Sequence, residues 1–259
     1  MSEMHHVFTL REDQMDLKET NKIHTNRHPW ETARLKALQN ILGAELFEGI
    51  NVLDVGCGDG FIARNLFGHL LSKDITAVDI NLSDEWILEL DKLTQGVRYQ
   101  REIPLDGEYD LIMLLDVIEH IESDKTFLAN LVNRHIAGKG KVMITVPAFQ
   151  SIYGRHDAFL GHYRRYNQKE LINLTTSCGL HVISSGYLFF TLLLPKLVLY
   201  KLIDIGKSSD GVGNWHRGKC VTNIIEKILN FDNRLLISAS RLGIRIPGLT
   251  GWVLCEKPG

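Results

Sequence analysis

The segment Asn51-Val-Leu-Asp-Val-Gly-Cys-Gly-Asp-Gly60 combines an apolar run with three closely spaced glycines. Its apolar first half predicts a buried strand, and Gly56, Gly58 and Gly60 predict a tight turn from that strand into a helix. Glycines at this spacing let the backbone pass close to a ligand, while the N–H groups of the helix point at it. Asp54 adds a carboxylate at the end of the strand. The pattern therefore predicts a nucleotide-type pocket at the carboxyl edge of a parallel sheet.

The charge around these glycines distinguishes between two classes of cofactor. A nicotinamide dinucleotide favours G-x-G-x-x-G, where the helix N-terminus holds a pyrophosphate, but this chain has G-x-G-x-G flanked by Asp54 and Asp59. Two acids beside the loop oppose a diphosphate and favour a ligand that is cationic there, such as S-adenosylmethionine with its ammonium and sulfonium. A second predicted strand ends at Asp79, whose carboxylate suits the ribose of either cofactor. We therefore favour S-adenosylmethionine, with a nicotinamide-dependent oxidoreductase as the alternative.

Three motifs, in this order, resemble those of the class I S-adenosylmethionine-dependent methyltransferases, in the small-molecule branch that includes the ubiquinone-biosynthesis enzymes. Residues 52–60 resemble the first motif, residues 77–80 the ribose-binding strand end, and residues 109–120 the fourth strand with its loop. The resemblance extends over residues 25–187 and the last strand. The cofactor-binding residues that it implies are Asp54, Gly56, Cys57, Gly58, Gly60, Asp79, Ile80 and Asp116.

The alternation of strand and helix patterns predicts an α/β protein. Strands are expected near residues 50–55, 74–79, 97–101, 109–114, 140–146, 181–188 and 251–256, and helices near 30–42, 60–71, 83–93, 122–136 and 167–178. Apolar runs such as Leu111-Ile-Met-Leu-Leu115 require a sheet that is covered on both faces. With the resemblance, we expect a Rossmann-like, doubly wound αβα sandwich. Its seven-stranded sheet is mostly parallel, and the last strand is expected to run antiparallel at the edge.

The chain divides into three expected parts. Residues 1–26 are polar and predict a flexible N-terminal arm, while 27–188 and 250–259 form the S-adenosylmethionine-binding domain. Residues 189–249 stand where the resembling fold has a short turn, and they predict a helical insertion with helices near 189–203 and 221–240. Three roles fit this insertion: a cap over the active site, a homodimer contact, or a peripheral membrane contact through 189–205 that receives a lipid-like substrate.

The start of the first helix is a candidate lid. In similar methyltransferases a segment rich in His and Trp lies over the cofactor at this place. His28, Trp30 and Arg34 are the corresponding residues here. The alternative is an ordinary packing helix with one buried Trp.

Candidate catalytic residues follow the fourth strand in the segment Asp116-x-x-Glu119-His120. Crevice residues come from the carboxyl ends of strands, so we expect this segment near the reacting atoms. Ubiquinone-biosynthesis methyltransferases have a similar Glu-x-x-Glu-His segment that is associated with a divalent cation. Because the first acid here is Asp, we expect no metal ligands. His120 is a candidate base, with a structural role as the alternative.

The loop after the fifth strand, residues 147–166, is rich in His, Tyr and Arg. Loops at this edge carry function because the sheet positions them. His156 and His162 are the leading candidates for a catalytic base, and Tyr153 and Tyr163 are candidate orienting groups. The alternative is structural. In that case Asp157 forms a salt bridge with Arg164 or Arg165 that closes the loop, and the histidines act as hydrogen-bonding struts.

Composition narrows the class of substrate. A formal net charge of -2 over 259 residues shows no basic excess for a phosphate backbone, so nucleic acid is disfavoured. The four cysteines have no C-x-x-C spacing, which indicates a reduced compartment without disulfides or a zinc site. The N-terminus has no signal-peptide core, so a cytoplasmic location is expected.

We therefore expect an S-adenosylmethionine-dependent methyltransferase that acts on an oxygen of a small-molecule or lipid-linked acceptor. A nicotinamide-dependent oxidoreductase, a non-catalytic S-adenosylmethionine-binding protein and a membrane-surface protein are the alternatives.

Overall fold

The computed structural model describes residues 27–202 and 218–258, apart from the side chains of 194 and 198–202. The expected arm at 1–26 and the loop inside the insertion lie outside the described residues.

One seven-stranded sheet organises the described chain. The strands are β1 (Ile50–Val55), β2 (Lys73–Val78), β3 (Val97–Gln100), β4 (Tyr109–Leu115), β5 (Ile136–Pro147), β6 (His181–Leu188) and β7 (Thr250–Glu256). Their order across the sheet is β3-β2-β1-β4-β5-β7-β6, and β1 to β5 pair in parallel. The chain therefore reverses its direction of winding between β1 and β4, where α/β sheets of this kind place their ligand crevice.

Eight helices flank this sheet in the described residues. They are α1 (Pro29–Leu42), α2 (Phe61–Leu66), α3 (Asp84–Leu93), α4 (Asp124–His135), α5 (Arg155–Phe159), α6 (Gln168–Ser177), α7 (Phe190–Leu202) and α8 (Lys219–Arg241). The expected αβα sandwich is confirmed. Helix α2 is shorter than expected and ends at Leu66, two residues before Gly68. A Cβ on Gly68 would lie 3.0 Å from the carbonyl oxygen of Arg64.

Two strand expectations are wrong in detail. β7 is antiparallel as expected, but it lies between β5 and β6, so β6 forms the edge of the sheet. The fifth strand does not begin near residue 140, where the expected range of 140–146 had it. Instead, β5 begins at Ile136 and contains a register shift against β4, and Lys139 has φ 66° inside it. An irregular pair of this kind accommodates the extra residues without ending the strand.

The continuous apolar strands are explained by two cores, one on each face of the sheet. Along β4, Leu111 and Met113 pack into the core beneath α1, α2 and α3, while Ile112 and Leu114 pack into the core beneath α4 and α6. Alternate side chains of a strand point to opposite faces. The run from Leu111 to Leu115 in this central strand is therefore apolar on both faces, as the sequence pattern indicated.

The insertion packs over the α1 face of the domain. Its helix α8 contacts α1 and β6. Asn233 of α8 accepts a hydrogen bond from the backbone N–H of Phe189 (2.9 Å). Phe189 directly follows β6 and has φ 64°. The ring of Phe189 meets Trp30 of α1 edge to face, 6.5 Å between centroids. Among the described helices, none combines the length and apolarity needed to cross a membrane.

Candidate active site

The loop between β1 and α2 has the backbone that its glycines predicted. Gly56, Gly58 and Gly60 have φ of 74°, 56° and 70°, values that residues with a Cβ rarely adopt. A Cβ on Gly56 would lie 2.5 Å from Cγ2 of Val117. The loop is also tied to the next strand, because the Gly58 N–H donates to Oδ2 of Asp79 (3.0 Å). The glycines thus leave open backbone at the carboxyl edge of β1.

Asp54 is the most unusual residue of this loop. Its side chain is 1% exposed, and neither carboxylate oxygen has a hydrogen-bond partner among the described residues. Burial raises the pKa of Asp54 to about 7, although Arg34 opposes the rise. A buried carboxylate without partners is costly, and a cationic ligand would remove that cost. The orphaned oxygens therefore fit the ammonium of an S-adenosylmethionine molecule.

Asp79 lies at the end of β2, where the ribose was expected. Its Oδ1 accepts a hydrogen bond from the Asn81 N–H (3.0 Å). Burial raises the pKa of Asp79, although the hydrogen bonds from Asn81 and Gly58 oppose the rise. Beside it, Ile80 and Val117 line a small apolar crevice that also contains Gly56 and Phe127. The side-chain amide of Asn81 also donates to Oδ1 (3.2 Å), so Oδ2, which accepts the Gly58 N–H, keeps a lone pair for a further donor. Asp79 with this apolar crevice fits a ribose and the adenine attached to it.

Arg34 of α1 joins this site, and the sequence had indicated it only as part of a lid. Its Nη1 lies 2.9 Å from Oδ2 of Asp116, and its Nη2 donates to Oγ1 of Thr145 (2.9 Å). Thr145 in turn donates to Asp116 Oδ1 (3.0 Å), and Asp116 has φ 59°. Asp116 follows β4 as expected, but its carboxylate is held by α1 and β5. Arg34 thus brings a positive charge next to Asp116, at the carboxyl end of β4.

His162 is held by a buried carboxylate in the loop after β5. Its Nδ1 lies 3.0 Å from Oδ1 of Asp157, which is 1% exposed. Burial raises the pKa of Asp157, but hydrogen bonds from His162 and Arg165 outweigh it and hold that pKa well below its ordinary value. Because an ionised carboxylate only accepts, Nδ1 of His162 carries the proton and Nε2 is left as an acceptor. This is the arrangement of an oriented general base.

Arg165 makes the salt bridge that the structural interpretation expected for this loop. Its Nε and Nη2 both lie 2.7 Å from Oδ1 of Asp157, and its Nη1 donates to the carbonyl oxygen of Ala148 (3.1 Å). Arg164 instead pairs with Asp124 (3.1 Å). The salt bridge and the histidine therefore share one carboxylate, so the structural role and the chemical role of this loop are compatible.

His120 packs edge-on against His162, with ring centroids 4.5 Å apart. Burial and the neighbouring His162 lower the pKa of His120 to about 4, while Asp116 opposes them, so His120 is neutral at pH 7. Glu119 is completely buried beside it. Glu119 and His120 lie in a 3-10 turn, Ile118–His120, before α4 and not in the first turn of that helix.

Glu119, His120 and His162 each bring one ligand atom within 4.8 Å of the others. Two imidazoles and one carboxylate suit Zn²⁺ better than Mg²⁺, which prefers oxygen ligands. The sequence predicted no metal ligands. Asp116, Glu119 and His120 lie close together in the sequence, but the structure turns Asp116 toward Arg34 and brings His162 in its place. The geometry is thus compatible with a cation or with a proton-transfer site.

The remaining candidates of this loop lie around His162. Tyr153 donates its hydroxyl to the carbonyl oxygen of His162 (2.6 Å), and the Tyr163 N–H donates to the carbonyl oxygen of Glu119 (2.7 Å). Both contacts hold the backbone of the histidine segment. His156 is exposed on α5 and is not one of the three clustered ligand residues. The structure therefore brings together His120 and His162.

Comparisons with known proteins agree with this site. Residues 24–185 match the methyltransferase domain family. The ubiquinone biosynthesis O-methyltransferase of Rickettsia bellii is 36% identical over 102 residues, which are 37% of this chain and 41% of that protein. The chain thus matches less than half the length of such curated relatives.

Solved structures share the fold at low identity. The N-methyltransferase NodS from Bradyrhizobium japonicum, in complex with S-adenosyl-L-homocysteine, is 15% identical, with TM-score 0.54 and coverage of 98% of both chains. The [4+2]-cyclase SpnF has the same TM-score of 0.54 at 13% identity, covering 92% of this chain and 85% of its own. At such identities the likeness shows the fold alone.

The family match covers the glycine loop, the end of β2 at Asp79 and the loop that carries His162. The expected recognition is confirmed, and the nicotinamide-dependent oxidoreductase is not supported by these comparisons. The chain belongs to the methyltransferase domain family, as a class I S-adenosylmethionine-dependent member.

Proposed function

We propose that this chain transfers the methyl group of S-adenosylmethionine to a hydroxyl oxygen of a small, lipid-linked acceptor. The observation that carries the proposal is the pair formed by Asp157 and His162 at 3.0 Å. It belongs to the loop after β5, at the carboxyl edge of the sheet where the glycine loop also lies.

Five groups of the chain would hold the cofactor. The backbone at Gly56 and Gly58 approaches the methionine part, Asp54 accepts its ammonium, and Arg34 pairs with its carboxylate. Asp79 accepts the ribose hydroxyls. When bound, S-adenosylmethionine supplies a methyl group on a positively charged sulfur, which is already an activated leaving group. The protein therefore has mainly to align the acceptor oxygen with that carbon, and alignment alone can contribute about 7–11 kcal/mol.

A hydroxyl acceptor also needs to lose its proton, and His162 is placed to take it. Asp157 fixes the proton of the imidazole on Nδ1, which leaves Nε2 as the acceptor. General-base catalysis of this kind contributes roughly 10²- to 10⁴-fold. His120 is a positioning residue, because its neutral ring packs against His162. Tyr153 holds the His162 backbone from the other side.

The choice of acceptor rests on the relatives. The curated relatives with the matching segment are ubiquinone biosynthesis O-methyltransferases, and an acceptor of that kind would be a hydroxylated aromatic ring with an isoprenoid tail. The insertion, which packs over α1, would then cap the site and cover the tail. The unpaired cysteines suit a cytoplasmic location, which stays a prediction.

The test is transfer of an isotopically labelled methyl group from S-adenosylmethionine to prenylated dihydroxybenzenes, with prenylated anilines as nitrogen acceptors. We expect methylation of the hydroxyl compounds and a loss in kcat of roughly 10²-fold or more for His162→Gln. His156→Gln is the matched control, because it changes an exposed histidine of the same loop and should retain activity.

Three results would contradict parts of the proposal. Methylation of the anilines alone would reject the oxygen acceptor. Full activity of His162→Gln would reject His162 as the base. Activity that is lost on chelation and restored by Zn²⁺ would assign Glu119, His120 and His162 to cation binding instead of proton transfer.

A further inference from the structure

The outer side of α8 carries an apolar row that the described residues leave uncovered. We call it the α8 stripe, and it consists of Val221, Ile224, Ile228, Phe231 and Leu235. Their side chains are between 45% and 66% exposed. Spacings of three and four residues place them on one side of a helix. Five large apolar side chains in one contiguous row form a patch of the kind that marks an interaction surface.

The stripe is distinct from the face that holds α8 to the domain. The inward residues of α8 include Leu229, Leu236 and Ile237, which are at most 4% exposed, and the helix packs against α1 and β6. The core contact of α8 is therefore already satisfied. The stripe adds a second apolar face that folding of the domain does not use.

Cations accompany this stripe along its whole length. Lys227, Arg234 and Arg241 are exposed and stand at intervals of seven residues, which aligns them in a row beside the stripe. At the end of this row, Nη2 of Arg241 donates to the carbonyl oxygen of Asn40 on α1 (2.9 Å). Lys219 and Arg245, both exposed, extend the positive charge past the two ends of the row.

The acids of the same segment do not offset these cations. Residues 218–249 contain two acids, Glu226 and Asp232. Glu226 is paired with Lys36 of α1. Asp232 is buried and accepts hydrogen bonds from the backbone N–H and the hydroxyl of Thr191, both at 3.0 Å. The outer face of α8 is thus apolar and positively charged, on a chain whose overall net charge is -2.

We propose that the α8 stripe docks this protein on the surface of an anionic lipid bilayer. An apolar row with flanking Lys and Arg suits the boundary between headgroups and acyl chains, where lipid phosphates meet the cations. A second copy of the chain fits less well, because a contact between two stripes would bring the cationic rows together without exposed acids to pair them. The sequence pointed to residues 189–205 for a membrane contact, but most of those side chains lie outside the described residues.

The test is binding of the full-length chain to vesicles, without cofactor or acceptor, so its outcome is independent of the proposed methyl transfer. Vesicles of phosphatidylcholine alone are compared with vesicles that also contain phosphatidylglycerol. Cys220 is the exposed one among the four cysteines and adjoins Val221, so a polarity-sensitive fluorophore on it reports whether the stripe enters the bilayer. We expect sedimentation with the anionic vesicles, a rise in fluorescence, and weaker binding at high salt.

Variants distinguish vesicle binding through the α8 stripe from nonspecific adsorption of the protein to lipid. Phe231→Glu should lower vesicle binding by at least tenfold, and Lys227→Gln and Arg234→Gln by about fivefold each, since one cation near an anionic surface contributes about 1 kcal/mol. Leu88→Glu is the matched control, because Leu88 is 60% exposed on α3 and its change should leave binding intact.

Any of three results would overturn the proposal. The first is the absence of binding to anionic vesicles, and the second is equal binding by the wild type and Phe231→Glu. The third is a dimer in light scattering that Phe231→Glu dissociates, which would make a second copy the occupant of the stripe.

Discussion

The buried carboxylate of Asp54 makes a quantitative prediction about stability and pH. An ordinary Asp titrates near 3.8, whereas burial raises the pKa of Asp54 to about 7 in the folded chain. Between these values the unfolded chain loses the proton while the folded chain keeps it. The stability that the group contributes is therefore present at acid pH and is lost as the pH rises toward 7.

The magnitude follows from the two pKa values. The raised pKa of Asp54 lowers the free energy of unfolding by about 4 kcal/mol at pH 8 and by less than half of that at pH 5. Asp54→Asn has the same shape and no charge to desolvate. We therefore expect this variant to exceed the wild type in free energy of unfolding by up to about 4 kcal/mol at pH 8, with a much smaller gain at pH 5.

The assay is urea unfolding of both proteins at the two pH values, without cofactor. Asp91→Asn on the exposed face of α3 is the control, and its free energy of unfolding should equal that of the wild type at both pH values. Asp54→Asn should also weaken S-adenosylmethionine binding at least tenfold, because the ligand ammonium loses its carboxylate. A variant that is no more stable than the wild type at pH 8, or that binds S-adenosylmethionine equally well, would refute the reasoning.

Three further substitutions test the rest of the site. Gly56→Ala should lower the free energy of unfolding by at least about 2 kcal/mol, since φ is 74° and the Cβ meets Val117; Gly58→Ala, with nothing within 4 Å, should cost about half as much in a parallel urea titration. Asp157→Asn should cost about 3 kcal/mol, because it leaves the buried Arg165 unpaired, and thermal unfolding that matches the wild type would argue against this salt bridge. Arg34→Gln should weaken S-adenosylhomocysteine binding at least tenfold by calorimetry, whereas Lys36→Gln on the same helix should not; equal losses would indicate a general defect of α1.

Local patterns in the sequence were sufficient for most of the fold. The strand from Ile50 to Val55 and the positive φ of the three glycines after it follow from alternation, turn chemistry and sterics within ten residues. The position of β7 in the sheet does not follow from local sequence patterns. Whether the last strand lies at the edge or next to β5 depends on pairing with distant strands, and the 250–256 segment is equally apolar in both arrangements.

The candidate site divides in the same way. Asp54 and Asp79 were found because they adjoin the strand ends that position them. Arg34 was named only as part of a lid, since its pairing with Asp116 depends on how α1 crosses the sheet. The contact between His120 and His162 joins two loops after different strands. Both histidines were candidates, but only the packed chain shows that they form one cluster with Glu119.

The most direct test of the account is a calorimetric titration of the wild type and Asp79→Ala with S-adenosylhomocysteine and with NADH. Asp74→Ala, at a half-exposed carboxylate of the same strand, serves as the control. We expect the wild type and the control to bind S-adenosylhomocysteine, Asp79→Ala to bind it at least tenfold more weakly, and none of them to bind NADH. Binding of NADH, or unchanged affinity of Asp79→Ala for S-adenosylhomocysteine, would contradict the assignment of this crevice.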